Sequence, residues 1–308
     1  MTATSAPSRG GPGNPLGTLK KIFFPVAPAY LLMVIPAIAL FTFFIIYPAI
    51  DGMFYSFTNY VGYGAWHSIG FANYKAAFSD PTIRDSYGFT LLFAVVACIL
   101  TNVVALALAI ALNAKIKWRS GLRTIFFMPM VLSGLVVSYV FTFIISTSVP
   151  VIAGVIHFAP LESNILANQH TAWLGVVFVA SWVAIPGAII IFLAGLTGIP
   201  TEVYEAASID GASAWMKFRR MTFPLLFGFL VINTILSFKN FLNVYDIVVG
   251  LTGGGPGTAT TSVAQTIFSG FFNGDYAYQM ANAVIFFLVT LLFAIFQLSV
   301  IRRRGGGL

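Results

Sequence analysis

The chain is organised by where its charges are missing. Between Lys21 and Asp51, Asp85 and Lys115, Arg123 and Glu162, Glu162 and Glu202, Arg220 and Lys239, and Asp275 and Arg302 there is no Lys, Arg, Asp or Glu. A bilayer core about 30 Å thick takes about 20 apolar residues per helix, and each stretch supplies that length or comes close to it. Six membrane-spanning helices are therefore predicted, near residues 28–50, 87–112, 122–146, 172–195, 222–245 and 279–301. Only 8% of the 308 residues are charged, against about 25% in soluble domains. So few charges cannot build a water-facing surface, which excludes an ordinary soluble enzyme. Disorder is excluded too, because it needs low hydrophobicity and 58% of this chain is apolar. The fold class is all-α, a polytopic membrane protein with six transmembrane helices.

Lys and Arg set the expected orientation. With the N-terminus in the cytoplasm, the cytoplasmic segments hold Arg9, Lys20, Lys21, Lys115, Lys117, Arg119, Arg123, Lys217, Arg219, Arg220, Arg302, Arg303 and Arg304. The external loops hold Lys75 and Arg84, and Lys239 falls inside a span. That asymmetry predicts both termini cytoplasmic. The net charge of +7 then needs only lipid headgroups; the basic residues form no stripe on a polar face, so no nucleic-acid partner is implied. Residues 1–24 read as a flexible cytoplasmic tail, 25–304 as the membrane domain and 305–308 as a short tail. The first span is too long for a cleaved signal peptide, and no clear small-residue cleavage site follows it. The loop after it carries Phe54, Tyr55, Phe57, Tyr60, Tyr63 and Trp66, which fits an interfacial aromatic belt or contact with an external partner. Cys98 is the sole cysteine, too few for an internal disulfide or a thiolate metal site.

Catalytic chemistry needs convergent polar groups, and the sequence offers none. His67, His157 and His170 lie far apart in loops, without metal-ligand spacing. The glycine-rich segment Gly250–Gly257 lacks the Lys-Ser/Thr pair of a phosphate loop, so no ATP is hydrolysed by that route. No catalytic residue, metal or cofactor of the chain's own is expected. Carboxylates sit almost entirely in loops or at helix ends. A self-contained secondary carrier or channel, the rival reading, usually keeps a carboxylate or His relay inside its spans.

The loop at 196–221 is unusual. Thr201 is a candidate cap, Glu202 suits the first turn of a helix, and Ala206 and Ala207 favour helix with little bulk. Asp210-Gly211 breaks it, and a second short helix over Ala212–Phe218 leads to Arg219, Arg220 and Pro224. Taken alone, this helix-turn-helix reads as an interfacial elbow anchored by its cations or as a docking element. Glu205-Ala206-Ala207, then Gly211, then Met221-x-Phe223-Pro224 resembles the EAA loop of ABC-importer permeases, with Met221 and Phe223 as apolar replacements. Tyr47-Pro48 with Tyr55-Ser56-Phe57, Gly70 through Asn73-Tyr74, Arg123-x5-Pro129 and Leu251-Thr252-Gly253-Gly254-Gly255-Pro256 are similar to the carbohydrate-uptake branch, the maltose-type sugar permeases, over roughly 25–304.

The resemblance implies a MetI-like permease in a bacterial plasma membrane, importing a sugar or oligosaccharide. It implies a second six-helix permease subunit, with a homodimer as the alternative. Two copies of a cytoplasmic ABC ATPase that bind ATP and Mg, and an extracellular or periplasmic solute-binding protein, would complete the assembly. Glu202, Glu205, Ala206, Ala207, Asp210 and Gly211 would form the coupling helix that docks on the ATPase. Ser237, Asn240, Phe241 and Val244 follow the i, i+3, i+4, i+7 rule of one helical face, and the resemblance puts sugar contacts there. Trp182 and Ala184 stand near the matching depth in span four. The competing reading of Ser237 and Asn240 is hydrogen bonding between helices. Lys239 is expected on the opposite face, snorkelling, pairing with Asp246 or meeting the partner permease. Pro129 and Pro186 are expected within spans three and four, where each can kink its helix.

Overall fold

The computed structural model describes residues 28–114 and 117–304. The tails expected at 1–24 and 305–308, and Arg9, Lys20, Lys21 and Lys115, lie outside the described residues. Among the described residues the regular structure is helical, joined by loops, and the only β pairing is a single bridge between Thr58 and Ser68. Six helical segments are long and apolar enough to cross a membrane: Leu32–Tyr55, Pro81–Asn113, Gly134–Val155, Ala172–Thr197, Ala214–Leu242 and Tyr276–Ser299.

Contacts divide the chain after Phe54. The first unit holds α1 (Pro28–Phe41), a π-turn over Thr42–Ile46 and α2 (Tyr47–Tyr55), which runs to its boundary. Apart from Thr42 and Asp51, its described side chains are predominantly apolar and exposed all round, the pattern of a helix solvated by lipid. The second unit opens with a small folded loop. Asn73 donates from Nδ2 to the Ser56 and Thr58 carbonyls at 2.9 and 2.8 Å. Tyr55 stacks on Tyr60 and meets Trp66 edge-on, whereas Tyr63 is 80% exposed. Then come α3 (Ala72–Ser79) and α4 (Pro81–Asn113). Asp80 starts α4: its Oδ1 accepts from the Thr82 N–H at 2.8 Å, and Pro81 takes the first helical position.

The third crossing differs from the expected 122–146. Residues Arg119–Phe127 form α5, a 3-10 turn follows over Met128–Val131, and the chain is extended at Leu132 and Ser133. The crossing runs instead through α6 (Gly134–Phe143), a π-turn at Ile144–Ser148 and α7 (Val149–Val155). Pro129 therefore sits in the turn before the crossing and not within it. Its ring removes a donor and restricts Met128, and the long uncharged run around it gave no sign of where the helix would resume.

The fourth crossing, α8 (Ala172–Thr197), packs lengthwise on α4 and passes Pro186 without a break. Small residues make that approach close. Ala94, Ala97, Ala105 and Ala109 of α4 are fully buried, as small-residue seams between membrane helices require. The elbow helices α9 (Thr201–Ile209) and α10 (Ala214–Lys217) lead through a π-turn at Phe218–Thr222 into α11 (Phe223–Leu242). The chain ends with α12 (Asp246–Thr252), α13 (Val263–Phe272) and α14 (Tyr276–Arg304). Two buried clusters fill the second unit. One gathers Phe93, Val176, Val179, Phe241, Val248 and Val263; the other gathers Leu112, Ile189, Phe192 and Leu226.

Candidate functional site

Two interruptions of helix, one at each end of α11, carry the candidate chemistry. The first is the elbow. Thr201, expected to cap α9, is instead its first residue, following Pro200, and no side chain caps that end. Glu202 lies in the first turn, where its charge suits the helix dipole. The far end closes as a Schellman motif: Ala212 N–H donates to the Ala207 carbonyl at 2.9 Å and Gly211 N–H to that of Ser208 at 3.2 Å. Gly211 has φ +72°, and nothing would touch a Cβ there. It is conformation, not space, that calls for glycine.

Ser213 accepts from Met216 N–H at 3.3 Å to start α10. Lys217 Nζ donates to Ser208 Oγ at 2.7 Å, and the Tyr204 and Thr222 hydroxyls are 3.0 Å apart. These bonds clamp the two short helices together. Ala207 is 1% exposed and faces inward, while Glu202, Glu205, Ala206, Asp210 and Gly211 face outward. Ile209 and Trp215 are 86% and 68% exposed beside them. No ion pair involves Glu202, Glu205 or Asp210 among the described residues.

The second interruption follows α11. That helix ends at Leu242, and Asn243–Tyr245 form an irregular turn before α12. Ser262 Oγ donates to the Val244 carbonyl at 2.8 Å, and Thr90 Oγ1 accepts from the Val263 N–H at 3.0 Å. Thr90 lies within the crossing Pro81–Asn113, five residues past its last charge, Asp85. Irregular backbone at that depth persists only where protein buries it or where it lines a water-filled cavity. Both hold here. The Gly253–Pro256 segment folds back through Thr252 and Thr260, whose hydroxyls are 2.7 Å apart, and Thr260 Oγ1 donates to the Gly255 carbonyl at 2.7 Å. Beside the turn lies a cavity of about 470 Å³ between α8, α11 and the start of α12.

Five of the six predicted pathway residues line it: Ala184, Ser237, Asn240, Phe241 and Val244. Val244 gets there through the turn, not through the helical face assumed from spacing. Trp182 does not join them. It lines a separate apolar cavity of about 490 Å³ and packs 5.1 Å from the ring of Phe141. Two residues apart on a helix is a rotation of about 200°, which sends Trp182 and Ala184 to different sides of α8. Lys239 is exposed and is not on the cavity wall. Sequence reasoning missed Asn233, Asn243, Tyr245 and Asp246, which also line the cavity. Asn233 was within reach, one helical turn before Ser237; it donates from Nδ2 to the Ala188 carbonyl at 3.0 Å. Asn243 and Tyr245 belong to the turn and Asp246 to the helix that follows it, which period counting along α11 cannot see.

Six apolar crossings, with a cavity that carries amide and hydroxyl groups and a clamped elbow in the second unit, define a multi-pass membrane protein of the transport class. Residues 102–305 match the family described as binding-protein-dependent transport system inner membrane component. The multiple sugar-binding transport system permease protein MsmF of Streptococcus mutans is 33% identical over 273 residues, covering 88% of this chain and 94% of that one. The probable starch degradation products transport system permease protein AmyD of Thermoanaerobacterium thermosulfurigenes is 31% identical over 286 residues, covering 92% and 98%. A chain of a bacterial ABC transporter involved in the import of the acidic polysaccharide alginate superposes with a TM-score of 0.77 at 21% identity, covering 94% of this chain and 99% of that one. The chain belongs to this permease family of binding-protein-dependent transport systems, as a non-catalytic, multi-pass component of the plasma membrane.

Proposed function

We propose that this permease forms half of the translocation pathway of an ATP-driven importer for sugars or oligosaccharides. The observation that carries the reading is the cavity at membrane depth. The Asn240 amide and the Ser237 hydroxyl stand there beside Phe241, Val244 and Ala184, with Asn233 and Asn243, whose amides donate to the Ala188 and Lys239 carbonyls, on the same wall. Sugar hydroxyls need such donors and acceptors, and sugar ring faces need such apolar walls. The names of the relatives MsmF and AmyD, which refer to sugars and starch products, support the same substrate class.

A second permease subunit supplies the other half, and a solute-binding protein delivers the sugar from outside. Both termini lie in the cytoplasm, as the Lys and Arg asymmetry favours, which puts the elbow there as well. Two copies of a separate ATPase bind ATP and Mg and supply the hydrolysis. Glu202, Glu205 and Asp210, exposed and outside any ion pair among the described residues, meet the ATPase, while Ala207 and Gly211 set the elbow's shape. Closure of the ATPases moves the elbow, and α10 and α11 pass the motion to the cavity wall, which opens alternately to either side.

The test is uptake by proteoliposomes of the whole complex, with a panel of mono- and oligosaccharides. ATP-dependent accumulation of at least one sugar is expected, and Glu205→Lys should abolish it while leaving the permease inserted. ATP-dependent uptake of no carbohydrate would discard the sugar assignment. Normal transport by Glu205→Lys with the ATPase still bound would discard the elbow's role.

A further inference from the structure

Among the described residues, the cavity wall carries one carboxyl side chain, Asp246, and no Lys, Arg or His. The remaining polar groups of the wall are amides and hydroxyls. Asp246 is exposed, in the first turn of α12, where the helix dipole favours a carboxylate. Its Cβ comes within 3.8 Å of where a Cβ on Gly134 would stand, so it sits at the seam between α12 and α6. The nearest cation in sequence, Lys239, is absent from the wall, and the two form no ion pair among the described residues. An ionised group at membrane depth is expensive and is kept where it faces water or a pathway. Asp246 lines the cavity, and no cation among the described residues shares that wall or pairs with it.

We propose that Asp246 makes the cavity a charge filter, which turns back anionic sugars and passes neutral or amine-bearing ones. The proposal rests on the sugar-import reading above and adds the charge class of the substrate. At a separation of several ångströms in a site of intermediate dielectric, one fixed charge changes the occupancy of a singly charged solute by about tenfold or more. A uronate or a sugar phosphate meets that penalty on entry, and a neutral sugar does not. The amides and hydroxyls give a neutral sugar its hydrogen bonds, while the carboxylate supplies the repulsion on which discrimination depends.

Two measurements on the complete complex test this. In a Cys98→Ala background, Asn240→Cys places a thiol in the cavity. Its rates of modification by a trimethylammonium and by a sulfonate methanethiosulfonate reagent report the local potential. The cationic reagent should be favoured, Asp246→Asn should lower the cation-to-anion rate ratio about tenfold, and Asp246→Glu should preserve it. In proteoliposomes, uptake of a neutral disaccharide is then compared with uptake of its uronic acid counterpart, each presented on a binding protein shown to hold both. Asp246→Asn should raise the uronate-to-neutral ratio by a similar factor, and Asp246→Glu should not. If the modification ratio responds but no sugar moves with ATP, the charged wall stands and the sugar reading fails. If a sugar moves with ATP but neither ratio responds to Asp246→Asn, the filter is overturned and the sugar reading stands.

Discussion

The two interruptions that bracket α11 are closed in opposite ways. The elbow is held by neighbours: Ala212 bonds to Ala207, Gly211 to Ser208, Lys217 to Ser208, and Ser213 caps its own helix. The turn after Leu242 is held from afar. Ser262 reaches back to Val244, Thr90 of α4 accepts from Val263, and the Thr142 hydroxyl of α6, shared with the Ser138 carbonyl of its own helix at 2.9 Å, lies 3.1 and 3.3 Å from the Gly250 and Leu251 carbonyls. A locally closed element keeps its shape when its surroundings move, which suits a part that another protein must grip. An element closed at long range has no shape without the bundle, which suits a wall that must move with it. Damage to the elbow should therefore stay local and affect assembly, while damage to the turn should spread through the fold.

The strongest challenge to that contrast is Gly250→Val. A Cβ on Gly250 would lie 2.5 Å from Ser138 Cβ, so α12 and α6 must part to admit it. Overpacking of this kind costs about 1–3 kcal/mol, and the Thr142 bonds are strained with it. Thermal unfolding in detergent should show one lowered transition for the whole bundle. A loss confined to substrate uptake, with the melting temperature unchanged, would mean that the turn is not integrated as described. Ser262→Ala comes next. It leaves the Val244 carbonyl without its donor and removes the residue that accepts from Gln265 N–H at the start of α13. Loss of a cap and of a buried hydrogen bond together costs about 1–3 kcal/mol. The melting temperature and the uptake rate should fall together, because Val244 lines the cavity.

The same contrast explains what could be read from the sequence. The break at Asp210-Gly211 was legible, since it acts within a few positions of itself. The cap at Thr201 was misjudged, where Pro200 already sets the entry, and the second helix starts at Ala214 after the cap Ser213, not at Ala212, and ends at Lys217. The six crossings were legible because the absence of charge is a local property. The start of the third crossing was not, because Pro129, Leu132 and Ser133 break helix inside a run that is uncharged throughout. Asp246 stayed hidden for a related reason. Its place on the cavity wall depends on Leu242 ending a helix, and that ending depends on Ser262 and Thr90, far away in the sequence. Helical period put Ser237, Asn240 and Phe241 on the face that lines the cavity and placed Val244 there by the wrong route.

Gly211→Ala examines the local side of the comparison at a smaller scale. An alanine at φ +72° costs about 1–2 kcal/mol, and nothing around it is displaced. The cost should fall on the elbow alone. The melting temperature of the bundle should hold within about a degree or two, since α9 contributes only Ala207 to buried surface. Retention of the ATPase through gel filtration should weaken. A large drop in bundle stability would show that the elbow is coupled to the fold more tightly than its bonds indicate.

One further contact separates sequence distance from burial. Tyr278 Oη of α14 donates to Asp80 Oδ2 at 2.9 Å, joining the starts of α4 and α14 from opposite ends of the second unit's sequence, yet both side chains are only half-buried. Partial burial opposes ionisation of Asp80, but the bonds from Tyr278 and from Thr82 outweigh it and hold the carboxyl below its ordinary value of 3.8. With the folded value depressed, the contribution to stability is complete above pH ~4, shrinks as the pH falls below that, and is lost through the lowered folded value. Solvent screens a group this exposed, so Tyr278→Phe should cost under about 1 kcal/mol at neutral pH. Melting temperatures of wild type and Tyr278→Phe, taken from pH 7 downward, should differ slightly at first and converge in acid. If burial governs the cost of breaking a distant contact, this variant falls far below Ser262→Ala, whose bond spans fewer residues but is buried. An effect as large as that of Ser262→Ala would make sequence separation the controlling variable instead.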